Sequence, residues 1–279
     1  MTLPALILLA VVIGYPVVRT VLTSFYDYPL ITPDHAFVGM RNYHRLASDT
    51  VFWGALRNTV VYTAASVLGA MLIGLVLALV TERLQGPWRV LRGALLTPWA
   101  IPVIVVGFLF RFMFDEQGGV VDAVLVRSHA TGSAVPWLTG EHLAMASVVI
   151  ANVWTQAPFF LLVFTAALGA IPLEVLEAAR IDRARGWEMI TRIKLPYLRD
   201  AALVGALLMI IENFNNFPLI WTMTGGGPAY DTTTLVVYVY RLAFTSFDLG
   251  YASAVGTVWL GLLLAVAVVF IRVLRGRSA

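Results

Sequence analysis

Six stretches of this chain, residues 3–25, 58–80, 94–114, 144–169, 201–223 and 251–271, are apolar over the roughly 20 residues that a helix needs to cross a bilayer. Few folds accept such a pattern. In lipid every backbone N–H and C=O must find its partner within the chain, so each stretch is read as a transmembrane helix. The chain is therefore expected to be an all-α integral membrane protein, a single transmembrane domain over residues 1–279 with six spans. Composition agrees: 59% of residues are apolar and 13% charged, about half the charge of a soluble domain. That is too little to coat a water-soluble surface, and too apolar for intrinsic disorder. The first stretch has no basic n-region and is long for a signal-peptide core, so it is read as a span.

Basic residues orient the spans. Loops 81–93 and 170–200 and the tail from 272 hold Arg83, Arg89, Arg92, Arg180, Arg183, Arg185, Arg192, Lys194, Arg199, Arg272, Arg275 and Arg277. The opposite loops hold only Arg41, Arg45, Arg57, Arg127 and Arg241. The positive-inside rule then places both termini in the cytoplasm, and the net charge of +3 reads as topology, with no nucleic-acid partner expected.

Several chemistries are missing. Lys194 is the sole lysine and no glycine-rich turn precedes it, so the chain has no Walker lysine. The absence of Cys excludes disulfides and thiolate metal sites. His35, His44, His129 and His142 fall outside the spans without ligand spacing, so no metal site is expected. No catalytic constellation is visible, and no enzyme activity is expected.

Residues 171–200 hold six basic and five acidic side chains. Pro172 suits the first turn of a helix. Glu174 and Glu177 lie early and Arg183 and Arg185 late, complementing the helix dipole. Gly186 suits a C-cap, and a second short helix is expected from Trp187 to Ile193, ended by Pro196. Periodicity leaves two readings open: an amphipathic helix on the membrane surface, or a docking element for a cytoplasmic partner.

Glu177-Ala178-Ala179, the position held by Arg183, then Ile193-x-Leu195-Pro196 resembles the EAA loop of permease subunits of bacterial ATP-binding-cassette importers. The resemblance implies a coupling helix that seats in an ATP-binding subunit, with Glu177, Ala178, Ala179, Asp182, Arg183 and Gly186 as docking residues. One departure matters. Arg183 stands where the family usually has Gly, which implies that the helix continues past it and that Gly186 takes the turn.

The fifth span carries Glu212-Asn213-Phe214-Asn215-Asn216-Phe217-Pro218. A carboxylate and three amides within a span face a bundle interior or a wet cavity. Asn213 and Asn216, three apart, and Phe217 would share one helical face. Amides beside a ring suit a sugar, whose hydroxyls bond the amides and whose C–H face packs on the ring. Equally, the amides could bond neighbouring helices. Pro218 should open the helix locally. Glu212 is expected in a structural ion pair or hydrogen bond, for which Arg111, nearer the outer end of its own span, is one candidate. In the fourth span Trp154 and Gln156 could line one cavity, or serve ordinary helix packing around the kink at Pro158; Pro98 and Pro102 are expected to bend the third span, and Ala252 and Gly256 to form a packing face in the sixth.

The run from Asn213 through Gly225-Gly226-Gly227-Pro228 resembles the maltose-type branch of sugar permeases, and Phe37-Val-Gly39-Met-Arg-Asn-Tyr43 resembles their first outer loop. The likeness runs from about residue 35 to the end, behind a start shorter than the family's usual one. It implies an ATP-driven carbohydrate importer in the bacterial inner membrane, surrounded by lipid. The sugar would touch Trp154, Gln156, Asn213, Asn216 and Phe217. The implied partners are a second homologous permease forming a heterodimer, two ATP-binding subunits that carry the ATP and Mg, and an extracytoplasmic sugar-binding protein. No cofactor is expected in this chain. The alternative is an ion-coupled secondary transporter with Glu212 as its ion site.

Overall fold

The computed structural model describes residues 7–8, 10–32, 35–82, 84 and 89–275. Residues 3–6 and 9 of the first expected span, and the basic residues Arg83 and Arg277, lie outside the described residues. An apolar helix, α1 (Ala10–Thr23), occupies the described part of that span. A short antiparallel hairpin follows, β1 (Tyr26–Asp27) with β2 (Ala36–Phe37), then α2 (Arg41–Ser48). Asn42, buried on α2, donates to the carbonyls of Ser24 and Tyr26 at 2.9 and 3.0 Å, which straps this loop to the end of α1.

The organising element is α3 (Thr50–Thr81), 32 residues long and about 48 Å from end to end. It begins eight residues before the expected position 58 because Asp49 caps it there. One Asp49 carboxylate oxygen accepts from the N–H groups of Val51 and Phe52 at 2.8 and 3.2 Å. The other accepts from the hydroxyls of Tyr238 and Tyr251, each at 2.5 Å. Partial burial pushes the Asp49 carboxyl up, but these hydrogen bonds outweigh it and hold the group below its usual value. One face of α3 buries Tyr62, Ser66, Ala70, Gly74 and Ala78, while Val60, Leu68, Leu72, Val76 and Val80 stay exposed on the other. A helix apolar on its uncovered face as well as its covered one suits lipid.

Helix α7 (Leu143–Gly169) packs along α3 and matches the expected fourth span. Their backbones come close at Gly74, where a Cβ would lie 2.8 Å from the carbonyl oxygen of Ala157 and 2.4 Å from Phe160 Cβ. Small residues at such crossings are how membrane helices gain packing without a hydrophobic drive.

Two expected spans are broken. The third consists of α4 (Val90–Ala100) and α5 (Val103–Met113), bent by 93°. The break sits at Ile101, extended at ψ 131° as the residue before Pro102 must be. Pro98 lies in the first turn of the segment Thr97–Ala100, which follows a non-helical turn at 95–96, while the 93° bend itself lies at Pro102. Between α5 and α7 lies α6 (Val120–Arg127). After α7 comes α8 (Leu173–Ile181). The fifth span is then α9 (Met189–Phe214) and α10 (Phe217–Thr224), bent by 51°. The separate helix expected over 187–193 is absent, and Pro196 does not end it. A π-turn over Met189–Lys194 runs straight into α9, with the Leu195 N–H bonding the Ile190 carbonyl. Pro196 falls in the first α-helical turn, where its missing N–H costs least.

The chain closes with α11 (Leu235–Thr245) and α12 (Leu249–Arg275). Ala252 is buried and Gly256 comes opposite Thr20 of α1, so the small-residue face packs as expected. Among the described residues three helices are long and apolar enough to cross a membrane, and the two bent pairs make further spans if each counts as one. Three apolar clusters stack along α3. The first gathers Phe52, Leu235 and Tyr251, the second Tyr62, Phe110 and Leu219, the third Ala70, Phe160 and Leu198.

Candidate transport site and docking loop

The break in the fifth span decides where its polar groups go. Asn215 ends α9 at φ −102°, ψ 2°. Asn216, at φ −79°, ψ 74°, caps α10 through its side-chain oxygen, which accepts from the Leu219 N–H at 3.5 Å. Pro218 occupies the first turn of α10, so the local opening expected from it is present. The single face expected to carry both Asn213 and Asn216 is not: they lie on different helices.

They meet nonetheless, in a buried amide cluster. The Asn213 side-chain oxygen accepts from Asn152 Nδ2 at 2.7 Å and from Gln156 Nε2 at 2.9 Å. Asn213 Nδ2 donates back to Gln156 at 3.2 Å. Asn216 Nδ2 donates to Tyr62 Oη at 2.8 Å and to Asn152 Oδ1 at 3.1 Å. Asn213 is 1% exposed. In this conformation the amides bind one another and tie α3, α7, α9 and α10 together. Asn152 and Tyr62 were not singled out in the sequence. Asn152 was within reach, since it lies i, i+4 from Gln156, and two amides on one face of a span are a signal. Tyr62 carries none, because a tyrosine in an apolar span also reads as an ordinary packed ring.

Phe217 is half-buried and belongs to a ring cluster beside the amides, with Trp221 at 5.3 Å and Tyr240 at 4.7 Å between centroids. Trp154 and Gln156 do not share a cavity. Gln156 turns into the amide cluster, whereas Trp154, two residues away and so nearly opposite on the helix, lines an apolar groove of about 520 Å³ with Gly69, Pro98 and Val153. Nor does Arg111 pair with Glu212; it donates to the Thr222 carbonyl at 3.4 Å. Among the described residues Glu212 has no ion pair. Glu212 and Asn215 are the exposed polar groups at the break.

The second site is the loop after α7. Helix α8 ends at Ile181 with Asp182 as its C-cap, so the helix does not continue through Arg183. Arg183 adopts φ 61°, its N–H bonds the Arg180 carbonyl at 3.1 Å, and the Ala184 N–H bonds Ala179 at 2.9 Å. That pair of bonds is a Schellman closure with Arg183 in the left-handed position. Arg183 thus makes the very turn a glycine would make, and Gly186, at φ 52°, makes a second one. Ala179 is buried, and Glu177, Ala178, Asp182, Arg183 and Gly186 are exposed. Around them stand Leu173 at 72%, Ile181 at 81% and Trp187 at 75% exposure, large apolar side chains left uncovered in a charged loop.

A family model described as the inner membrane component of binding-protein-dependent transport systems matches residues 70–278. The chain belongs to this family. The chain is 36% identical over 279 residues to the sulfoquinovosyl glycerol transport system permease protein SmoG of Agrobacterium fabrum, covering 99% of this chain and 89% of that one. It is 35% identical to the trehalose/maltose transport system permease protein MalF of Thermococcus litoralis, over 99% and 93% of the two chains. It is 32% identical to the trehalose transport system permease protein SugA of Mycobacterium tuberculosis, over 96% and 85%. In fold it is similar to a chain of a bacterial alginate ABC transporter solved with an alginate-bound periplasmic protein, at TM-score 0.84 and 22% identity over 97% and 91% of the chains. As a member of this family the chain is a transport permease subunit and a multi-pass membrane protein.

Proposed function

We propose that this chain is one transmembrane subunit of an ATP-driven carbohydrate uptake system and forms half of the translocation pathway. The observation that carries the reading is the pairing of two sites on one rigid frame. One is an exposed apolar and charged loop at 171–200, and the other is an amide and aromatic cluster at a broken span. The named substrates of the relatives, sugars and a sugar glycoside, are molecules that amides and rings recognise. With the basic loops inside, both termini are cytoplasmic and the membrane is the bacterial inner membrane. The loop docks on one of two ATP-binding subunits, which hold the ATP and Mg and hydrolyse it. A second homologous permease completes the pore, and an extracytoplasmic binding protein delivers the sugar.

Asn213, Asn216, Gln156 and Phe217 are assigned to the sugar. Here their amides are already satisfied, so binding exchanges amide–amide hydrogen bonds for amide–hydroxyl ones when the bundle opens. Such an exchange costs little net free energy. Glu212 and Asn215 face the pathway or the second permease. Trp154, on the apolar groove, is further from this role than its neighbours.

The test is ATP hydrolysis by the reconstituted complex with its binding protein, across a panel of sugars. Stimulation by at least one sugar is expected; a complex that transports yet responds to no carbohydrate would overturn the reading. Asn213→Ala leaves Asn152 and Gln156 with unpaired donors, a cost of about 1–3 kcal/mol. Its transport rate is therefore compared at equal amounts of assembled complex. If assembled Asn213→Ala and Asn216→Ala complexes both transport at the wild-type rate, the sugar-contact assignment is wrong.

A further inference from the structure

Lys194, the sole lysine of the chain, forms an ion pair with Glu82, and its side chain is only 13% exposed. Glu82 caps the C-terminus of α3, where the dipole favours a cation, so its charge does not serve its own helix. Lys194, at the end of the π-turn in the first part of α9, brings the countercharge to that end. The pair joins the far end of the docking loop to the end of α3.

Hydrogen bonds fasten helix α3 over its first half and at its last turn. Beside the Asp49 cap, Asn58 Nδ2 donates to the carbonyls of Tyr230 and Thr233 at 3.0 and 3.1 Å, and Thr59 Oγ1 accepts from the Leu235 N–H at 2.9 Å. Tyr62 reaches Asn216 at the amide cluster. At the other end Arg92 Nη2 donates to the Thr81 carbonyl at 2.5 Å. One continuous helix therefore joins the Glu82 end to Tyr62 and to the segments that hold its other end.

We infer that the Glu82–Lys194 ion pair is the joint through which movement of the docking loop is passed to α3, and so through Tyr62 to the amide cluster and to the outer loops. Glu82 and Lys194 are positioning residues for coupling and touch neither sugar nor nucleotide. The inference rests on the proposed docking of residues 171–200.

The experiment measures sugar transported per ATP hydrolysed by the reconstituted complex, at equal assembly. Glu82→Gln and Lys194→Met are each expected to lower the ratio about fivefold or more, the low end of ordinary coupling effects. The exchanged pair, Glu82→Lys with Lys194→Glu, restores the attraction and puts a cation at the C-terminus of α3. It should return the ratio to within about twofold of wild type. Single variants at the wild-type ratio, or an exchanged pair as low as the singles, would overturn the inference. Should the singles fail to assemble, the absence of cysteine allows Glu82→Cys with Lys194→Cys joined by a short bifunctional thiol reagent. Transport should survive the link, and a link that blocks transport means the two ends slide past each other, against the inference. Glu177→Ala in the same assay reports on docking alone. A loss there, with normal Glu82 and Lys194 variants, sinks the joint and leaves the docking loop standing; no loss at Glu177 sinks the docking.

Discussion

Arg183 shows how much a single backbone angle can hide. An L-residue in the left-handed region costs roughly 1–2 kcal/mol relative to the right-handed one, and Arg183 sits there at φ 61° because the Schellman bonds from Arg183 and Ala184 hold it. Replacing it by glycine removes the cost without changing the turn. Arg183→Gly is expected to stabilise the protein by about 1 kcal/mol, read as a higher midpoint in denaturant unfolding from detergent micelles. A lower midpoint would mean that the arginine side chain contributes more than its backbone costs. The family likeness predicted a glycine at this place, and the departure suggested a longer helix. The structure keeps the turn and changes the residue, because turn geometry is set by hydrogen bonds that periodicity does not display.

Elements in this protein are decided by what touches them. The crossing of α3 and α7 at Gly74 leaves no room for a side chain: the nearest atoms to a Cβ are backbone or Phe160 Cβ, which cannot swing away. Gly74→Val is therefore expected to part the two helices and to destabilise the protein by about 1–3 kcal/mol. The loss should appear as a reduced unfolding midpoint and a lower yield of assembled complex; an unaltered midpoint would show that the crossing can widen freely. Both broken spans were legible as apolar stretches and as places where proline sits, but not as bends of 93° and 51°. A proline says where a hydrogen bond is missing. How far the chain turns there depends on the packing of α5 against α10 and on the amide cluster around Asn216, both long-range in sequence.

At the scale of the whole molecule, the most telling surface is the one this chain leaves uncovered outside the lipid-facing spans. Leu173, Ile181 and Trp187 stand out among the charges of the docking loop. Large apolar side chains near the centre of an interface carry a disproportionate share of its energy. Trp187→Ala should weaken association with the ATP-binding subunits by on the order of 2 kcal/mol, about thirtyfold in affinity. A titration in lipid nanodiscs measures it, and wild-type affinity would place the docking surface elsewhere. None of these three residues is singled out for docking by the sequence. An apolar residue within a charged loop reads equally as buried or exposed until the neighbouring helices are in place.

The number of apolar stretches, the charge asymmetry that orients them and the EAA-like loop were determined by the sequence by itself. Lipid leaves the backbone almost no alternative to helix, and charge bias and motif spacing are local properties of the chain. Only the tertiary structure decided that Asn213 and Asn216 spend their hydrogen bonds on Asn152, Gln156 and Tyr62, that Trp154 faces away from Gln156, and that Glu82 meets Lys194. Each of those outcomes joins residues from different helices. A buried polar group takes whichever partner the packing brings within reach, and no pattern along one helix names a partner on another.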